Sequence, residues 1–239
     1  MNAVSIKNVS KSFNTIDGKK IALQDVSFSV EEGSCVLIGG ANGSGKSLLM
    51  SIIAKLEEAD SGSVESIGRI GLVFQEAETQ ILGESAREDI AFGLKNLKKS
   101  KEEINQTVEA VLKKTGLEEK ANFPARFLSG GEKRRLAIAC MLAMNTPVIV
   151  LDEPYANLDY AGIKQVNSFI KELKSEKKTI IILSHELEKC LGLADKFVIL
   201  FKGKKVFEGS PEEGLKQNLE QWNIRNPLVS YCSASQMIW

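Results

Sequence analysis

A glycine-rich loop lies near the start of the chain: Gly40-Ala41-Asn42-Gly43-Ser44-Gly45-Lys46-Ser47. Its spacing, G-x-x-x-x-G-K-[ST], is typical of a loop that binds phosphate between a buried strand and a helix. The glycines let backbone N–H groups turn toward phosphate oxygens, Lys46 neutralises the outer phosphates, and the Ser47 hydroxyl can ligate Mg²⁺. The pattern predicts a nucleoside triphosphatase, although such a short motif also arises by chance in ordinary glycine-rich turns.

The segments that flank the loop favour phosphate binding. Cys35-Val36-Leu37-Ile38 is an apolar run that suits a strand buried on both faces. After the loop, apolar residues recur with the period of a helix at Leu49, Ile52, Ile53 and Leu56. Strand, loop and helix therefore follow in the order that a phosphate loop requires.

The composition limits the class of protein. The chain has 239 residues, 43% hydrophobic and 26% charged, which suits one large α/β domain or a domain with a subdomain. Lysine plus arginine and aspartate plus glutamate both number 31, so no global positive field points to nucleic acid. The four cysteines lack C-x-x-C spacing, which favours reduced core thiols. No apolar run approaches the roughly 18 residues of a membrane span, so a membrane role would run through partner proteins.

Two early segments predict a small antiparallel sheet. Residues 4–9 and 26–30 alternate apolar and polar side chains, the pattern of half-exposed strands, and Asp17-Gly18 supplies a turn between them. Phe13 lies where this sheet could offer an aromatic face to a nucleotide base. Plain packing is the commoner role of an aromatic side chain in a hairpin.

A helical insertion follows the first strands and helix. Residues 64–74 predict one or two strands that end at Gln75, and residues 86–144 are largely helical. Within the insertion, Leu128-Ser129-Gly130-Gly131-Glu132 opens a helix with Ser129 at its N-cap. The glycines free N–H groups at the positive end of the helix dipole, where an anion can bind. From these residues alone, a simple helix cap is the alternative.

Polar side chains follow two further buried strands. Asp152 and Glu153 come after the apolar run 148–151, and His185 follows the run 179–183. The carboxyl ends of parallel strands share the edge of an open α/β sheet where ligands bind. We therefore expect Asp152 to hold Mg²⁺, Glu153 to orient or deprotonate the attacking water, and His185 to contact the terminal phosphate. An acidic turn and a structural histidine are the alternatives.

The motifs, in this order, resemble the ATP-binding subunits of ATP-binding-cassette (ABC) transporters over about residues 3–210. The correspondence comprises the phosphate loop, Gln75 as the glutamine-loop residue, residues 128–132 as the signature motif, residues 148–153 as the second nucleotide motif, residues 156–159 as the aspartate loop and His185 as the switch histidine. The resemblance implies an α/β P-loop NTPase core with a mostly parallel sheet, an N-terminal antiparallel β subdomain and a helical subdomain (about 84–145).

The expected domain organisation and site follow from the residues and this resemblance. One ATP-binding domain covers residues 1–210, and residues 211–239 form a tail that either makes an interface or packs back on the domain. ATP and Mg²⁺ are the expected cofactors. The expected nucleotide contacts are Phe13, Gly40, Asn42, Gly43, Ser44, Gly45, Lys46, Ser47, Leu48, Ser129, Gly130, Gly131 and Glu132. The expected metal ligands are Ser47, Gln75 and Asp152, and the expected catalytic residues are Glu153, His185, Gln75 and Lys46.

The resemblance also implies a head-to-tail dimer. In that arrangement, ATP bound at Lys46 of one subunit is covered by Ser129 and Gly131 of the other. The second ATPase subunit can be an identical copy or a related chain.

A narrower likeness is carried by residues 73–81, 88–94 and 130–139. These segments look like those of energy-coupling factor (ECF) transporter ATPases, which import vitamins and, in related systems, cobalt or nickel ions in prokaryotes. The likeness implies a transmembrane coupling protein that docks near Gln75 and Gln80, a small substrate-binding membrane protein, and a peripheral position on the cytoplasmic face of the cell membrane. The chain departs from the family pattern at Phe13, where Tyr is frequent, at Leu48, where Thr is usual, and at Glu76-Ala77, where Asn-Pro is common.

Two other classes of protein share the phosphate loop. Soluble ABC-type ATPases that act on nucleic acid or ribosomes usually carry a long coiled coil or a second cassette, and this sequence shows neither heptads nor a second phosphate loop. A small-molecule kinase would leave residues 128–132 and His185 without a role. The sequence therefore favours a transporter ATPase.

Overall fold

A computed structural model of the chain describes residues 1–16 and 18–229. Its strands are β1 (Asn2–Thr15), β2 (Gly18–Glu31), β3 (Cys35–Gly39), β4 (Ser61–Ser66), β5 (Ile70–Val73), β6 (Val148–Asp152), β7 (Thr179–Ser184), β8 (Lys196–Phe201) and β9 (Lys204–Gly209). Its helices are α1 (Lys46–Ile53), α2 (Ala86–Asn96), α3 (Lys101–Thr115), α4 (Gly130–Ala143), α5 (Tyr160–Ser175), α6 (Leu187–Cys190) and α7 (Pro211–Leu215).

Continuous apolar runs build the central sheet, whose strand order is β5-β6-β7-β3-β8-β9. Strands β3, β6 and β7 are buried along their whole length, and all neighbouring strands from β5 to β8 pair in parallel. Strand β9 returns antiparallel to β8. Parallel strands buried on both faces need cover on both sides. Because neighbouring strands run in the same direction, the carboxyl ends of β5, β6, β7 and β3 lie side by side.

The N-terminal strands form a separate antiparallel sheet in the order β2-β1-β4. The β1–β2 hairpin pairs from Asn2 with Glu31 to Thr15 with Gly18. Its inner side chains share one apolar core with α1 and with one face of the central sheet. Helices α4 and α5 cover the opposite face. The two cores take alternate residues of each central strand, as the two-residue period of a strand requires.

The inserted helices α2, α3 and α4 have a core of their own, centred on Ile90, Leu112 and Leu136. Helix α3 is closed at its start by a capping box between Ser100 and Glu103. All three helices fall within the predicted range 84–145, and the domain boundaries themselves stay a prediction. None of the described helices is long and apolar enough to cross a bilayer.

The structure corrects or refines three expectations. Helix α1 ends at Ile53, so Leu56 does not belong to its apolar face and is 61% exposed. The apolar stretch 64–74 divides into β4 and β5, which join different sheets. Of the two roles considered for the tail, its described part packs back on the domain, with Leu219 and Ile224 buried. The apolar end, Met237-Ile238-Trp239, lies outside the described residues.

Candidate nucleotide site

The phosphate loop joins β3 to α1 in a conformation that requires glycine. A Cβ atom at Gly40 would lie 2.5 Å from the carbonyl oxygen of Leu200 and 2.5 Å from Oγ of Ser44. Gly43 has a φ of +75°, in the left-handed region that other residues rarely adopt. The motif spacing therefore reflects the path of the backbone.

Helix α1 has no side-chain cap at its N-terminus, unlike five of the other helices. Its N-cap residue is Gly45, which provides no side-chain acceptor. Side-chain caps close the starts of five other helices, at Ser85, Ser100, Ser129, Asp159 and Ser210. The first N–H groups of α1 thus receive no cap from Gly45, and the helix dipole adds positive potential at the same place. An anion such as phosphate suits this helix end.

Lys46 is the first residue of α1, and its side chain is buried against the loop. Its Nζ donates hydrogen bonds to the carbonyl oxygens of Gly40 at 2.6 Å and Ala41 at 3.3 Å, and lies 3.5 Å from Oε1 of Glu153. Burial lowers the pKa of Lys46, and the neighbouring Glu153 carboxylate opposes that shift. The ammonium group is held by acceptors that phosphate oxygens can replace.

Asp152 ends β6 and is buried beside the loop. Its Oδ1 has no hydrogen-bond partner within the described part of the chain. Burial raises the pKa of Asp152, although a hydrogen bond with Ser47 acts in the opposite direction. A buried carboxylate oxygen without a partner, next to a serine hydroxyl, fits the oxygen ligands of Mg²⁺, which commonly takes one or two protein ligands together with substrate phosphates.

Glu153 is fixed between Lys46 and His185. Nδ1 of His185 lies 3.0 Å from Oε1 of Glu153, and the backbone N–H of His185 donates to Oε2 at 3.4 Å. The backbone of Glu153 has a φ of +44°, and such strained non-glycine residues cluster at active sites. The carboxylate thus occupies one defined position at the sheet edge.

A cavity of about 650 Å³ lies over the loop. It brings together ten of the predicted residues, Phe13, Asn42, Gly43, Gly45, Lys46, Ser47, Leu48, Gln75, Glu153 and His185. Gly40, Ser44 and Asp152 lie outside its lining, where Gly40 contacts Lys46 and Asp152 contacts Ser47. Phe13 is 42% exposed, with Nζ of Lys11 at 5.5 Å from its ring centre.

The cavity also has lining residues that sequence reasoning missed. Lys20 and Ile21 from β2, and Lys202 and Gly203 from the β8–β9 turn, complete one side. The N–H of Gly203 donates to the carbonyl oxygen of Ser44 at 3.0 Å, so the turn supports the phosphate loop. The sequence marks residues 202–203 only as a turn, and their approach to the loop depends on the sheet order.

The signature turn lies elsewhere. Within the described residues, none of Ser129, Gly130, Gly131 and Glu132 lines the cavity over Lys46. Ser129 forms the predicted N-cap and makes a full capping box with Glu132, in which the Ser129 N–H donates to Oε2 at 2.7 Å. A Cβ atom at Gly130 or Gly131 would meet nothing within 4 Å, and neither glycine has a positive φ. The fold of this chain does not itself require glycine at these positions.

Gln80 has a structural contact that its predicted docking role did not include. Its side-chain Oε1 accepts from the N–H of Phe74 at 2.8 Å, and its Nε2 donates to the carbonyl oxygen of Leu72 at 2.7 Å. Strand β5 is an edge strand, and the amide of Gln80 satisfies part of that edge. Gln75 lies just beyond β5 and lines the nucleotide cavity.

Residues 23–156 match the sequence profile of the ABC transporter family. The chain belongs to that family. It is accordingly an ATPase whose hydrolysis of ATP drives transport, and the fold expected from its sequence is confirmed.

Known ABC ATPases resemble this one over most of its length. The energy-coupling factor transporter ATP-binding protein EcfA of Carboxydothermus hydrogenoformans is 37% identical in an alignment that covers 95% of this chain and 88% of the relative. EcfA2 of Methanospirillum hungatei is 35% identical over 87% of this chain, and the match spans 56% of that relative's length. The chain is therefore similar to the ECF branch of the family.

Solved ABC cassettes share the fold. The structure of cbiO1 from Clostridium perfringens, described as part of the ABC transporter complex cbiONQ, superposes with a TM-score of 0.80 at 29% identity and covers 95% of this chain and 96% of that one. An ATP-binding cassette solved as a dimer in a post-hydrolysis state, with ADP and phosphate bound, has a TM-score of 0.80 at 28% identity and covers 87% and 98%.

Proposed function

We propose that this ABC ATPase powers an ECF-type importer of a vitamin or of cobalt or nickel ions, as one of two ATPase subunits that associate head to tail. A transmembrane coupling protein and a small substrate-binding membrane protein complete the proposed complex, and hold the ATPase on the cytoplasmic face of the cell membrane. The similarity to ECF ATP-binding proteins supports the importer class, and the likeness to a subunit of a cbiONQ complex supports the membrane partners.

The signature turn is the observation that carries the dimer. Glycine in a helix is less favourable than alanine, by up to about 1 kcal/mol in the interior. Gly130 and Gly131 are the first two residues of α4, with free space around their Cα atoms and no positive φ to favour glycine. The close approach of a group from outside the chain would explain why glycine occupies both positions. A phosphate bound in the partner's loop is such a group, because it suits the N-terminus of a helix.

The chain's own residues then have defined roles. The N–H groups at the start of α1 and the ammonium of Lys46 bind the phosphates, and Phe13 stacks on the base. Ser47 and Asp152, with Gln75 nearby, are the proposed Mg²⁺ ligands. When bound, Mg²⁺ neutralises charge on the phosphate oxygens.

Hydrolysis requires a positioned water. Glu153 is proposed to orient it and accept its proton, and His185 holds the Glu153 carboxylate and reaches the terminal phosphate. The contact between His185 Nδ1 and Glu153 Oε1, at 3.0 Å, supports this division of roles.

ATP shared between two subunits favours the closed dimer, and its hydrolysis removes that preference. A ligand shifts a conformational equilibrium only through its differential affinity for the two states. Contacts from both subunits to one nucleotide supply such a difference. The opening and closing would then move the membrane partners.

Co-purification tests the proposed complex. The tagged full chain, isolated from membranes in mild detergent, should bring down a second ATPase subunit and two integral membrane proteins that mass spectrometry can identify. A matched isolation of the Lys46→Ala variant should recover the same proteins, since docking does not depend on hydrolysis. Recovery of nucleic acid or ribosomes, without any integral membrane protein, would contradict the importer and favour a soluble ABC ATPase.

A further inference from the structure

Arg134 is a buried cation at the junction of two loops, one after β5 and one between β6 and α5. It lies in the second turn of α4, the helix that opens with the signature turn, and is only 6% exposed. Its hydrogen bonds within the described residues all run to backbone carbonyl oxygens. Nη1 donates to Pro154 at 2.5 Å, Ala156 at 3.1 Å and Glu153 at 3.4 Å, and Nη2 donates to Gln75 at 2.7 Å.

These four carbonyls come from segments that the nucleotide site depends on. Gln75 follows β5, whereas Glu153, Pro154 and Ala156 lie in the one loop that joins β6 to α5 and contains the aspartate loop. A guanidinium group is planar and rigid, so its donors fix the relative positions of the atoms they bind. Arg134 therefore ties the start of α4 to the backbone of Glu153 and to the Gln75 loop.

Because Arg134 is buried, its hydrogen bonds to the two loops depend on where those loops lie. Burial lowers its pKa, because removing a charge from water is costly unless its donors are satisfied. Displacing either of the two loops would leave donors of a buried cation without partners. A second link, between Lys133 Nζ and Glu78 Oε2 at 2.9 Å, joins the same helix to the segment after Gln75. Glu78 is 74% exposed at its side chain, so solvent weakens that ion pair.

Arg134 does not line the nucleotide cavity. It touches Glu153 only through the backbone, at a residue whose φ of +44° must be held by its surroundings. Loss of the guanidinium should therefore disturb the position of the Glu153 carboxylate while leaving the phosphate loop and Phe13 in place.

We infer that Arg134 is a positioning residue that couples the signature helix α4 to Glu153 and Gln75 of the same chain. The Glu153 carboxylate reaches its reactive position when α4 is in place, and α4 is the helix whose first residues face the partner's nucleotide. This inference rests on the proposed roles of Glu153 and of the signature turn.

Three variants of the full chain test this role: Arg134→Gln, Arg134→Lys and the control Arg87→Gln. Arg87 is a partly exposed arginine of the same helical region, paired with Glu109 at 2.7 Å. For each protein, the Kd for a fluorescent ATP analogue, the kcat of ATP hydrolysis and the melting temperature are measured. A misplacement of about 1 Å can cost on the order of 100-fold in rate. We expect Arg134→Gln to lower kcat by about 10-fold or more with Kd changed by less than about threefold.

Arg134→Lys should be intermediate, because an ammonium keeps the charge but reaches fewer of the four carbonyls. Arg87→Gln should match the wild type. A wild-type kcat in folded Arg134→Gln would overturn the inference, as would parallel losses of affinity and melting temperature that account for the lost rate. If Arg134→Gln fails to fold, a wild-type kcat in folded Arg134→Lys would overturn it.

Glu153→Gln, assayed alongside, separates this inference from the proposed function. Full activity of Glu153→Gln would remove Glu153 from catalysis. An inactive Glu153→Gln together with an active Arg134→Gln would remove only the coupling role of Arg134.

Discussion

The ammonium nitrogen of Lys46 lies 3.5 Å from Oε1 of Glu153, and both side chains are buried. The proposed phosphate-binding cation and the proposed catalytic carboxylate thus neutralise each other. Phosphate oxygens that enter the loop compete with Glu153 for the same ammonium group. We therefore expect nucleotide binding to release the Glu153 carboxylate from Lys46 as it fills the site.

Glu153→Gln tests this relationship. The amide removes the negative charge that holds Lys46 but cannot accept a proton from water, so ATP should bind at least as tightly while hydrolysis falls. General-base catalysis typically contributes about 100-fold or more, so kcat in the assembled complex should fall by at least that factor. Light scattering after size exclusion should show an ATP-dependent dimer. Glu208→Gln on β9, a residue that does not line the cavity, is the control. Unchanged hydrolysis by Glu153→Gln would contradict the assignment.

Gly131→Ala should separate stability from activity. Alanine at this helical position should leave the free energy of unfolding unchanged or raise it by up to about 1 kcal/mol. ATPase activity should fall sharply, because the added methyl group meets the partner's nucleotide. Thermal unfolding and ATP hydrolysis are measured on the same preparation. Gly192→Ala is the matched control, since a Cβ atom there also meets nothing within 4 Å, and equal activities of the two variants would argue against a partner at the signature turn.

Asp152→Asn should stabilise the protein as it inactivates it. Burial raises the pKa of Asp152, so its charged form is less favourable in the folded protein than in the unfolded chain at neutral pH. The amide removes that cost, and the melting temperature without nucleotide should rise. Addition of Mg²⁺ and ATP should stabilise the wild type more than the variant. Asp60→Asn is the contrasting variant. Hydrogen bonds from Ser12 lower the pKa of Asp60, so the same change there should not raise the melting temperature. A fall in the melting temperature of Asp152→Asn would contradict the account.

Phe13→Ala should weaken ATP binding with little change in kcat. Stacking of a base on an aromatic ring contributes about 1–3 kcal/mol, so Kd should rise by about 5- to 150-fold. Phe13→Tyr should retain the affinity, and Phe123→Ala, which removes an exposed aromatic ring in the helical region, should leave it unchanged. Titration with a fluorescent ATP analogue measures all four proteins. Wild-type affinity in Phe13→Ala would assign the ring to packing alone.

The features that could be predicted from sequence are those with a local pattern. Continuous apolar runs identify β3, β6 and β7, and the polar residues that follow them fall at one sheet edge because parallel strands share their direction. Glu153 and His185 meet there, although 31 residues separate them in the chain. The N-cap role of Ser129 is also local and was predicted.

Contacts between side chains and distant backbone leave no such pattern. Arg134 binds the carbonyl oxygen of Gln75, 59 positions away, and nothing in its neighbours distinguishes it from an exposed arginine. Gly203 supports Ser44 only because β8 lies beside β3. Leu56 fits the helical period, yet α1 ends before it.

Complementation between two inactive variants tests the shared site most directly. Ser129→Arg and Lys46→Ala copies, differently tagged, are each expected to be inactive. In a mixed dimer, Lys46 of one copy faces the intact Ser129 turn of the other, which restores one of the two sites. Random pairing in a two-fold dimer makes about half of the dimers mixed, so the mixture should recover about a quarter of wild-type activity. Recovery of mixed dimers with no activity above that of the separate variants would contradict a nucleotide site shared between two subunits.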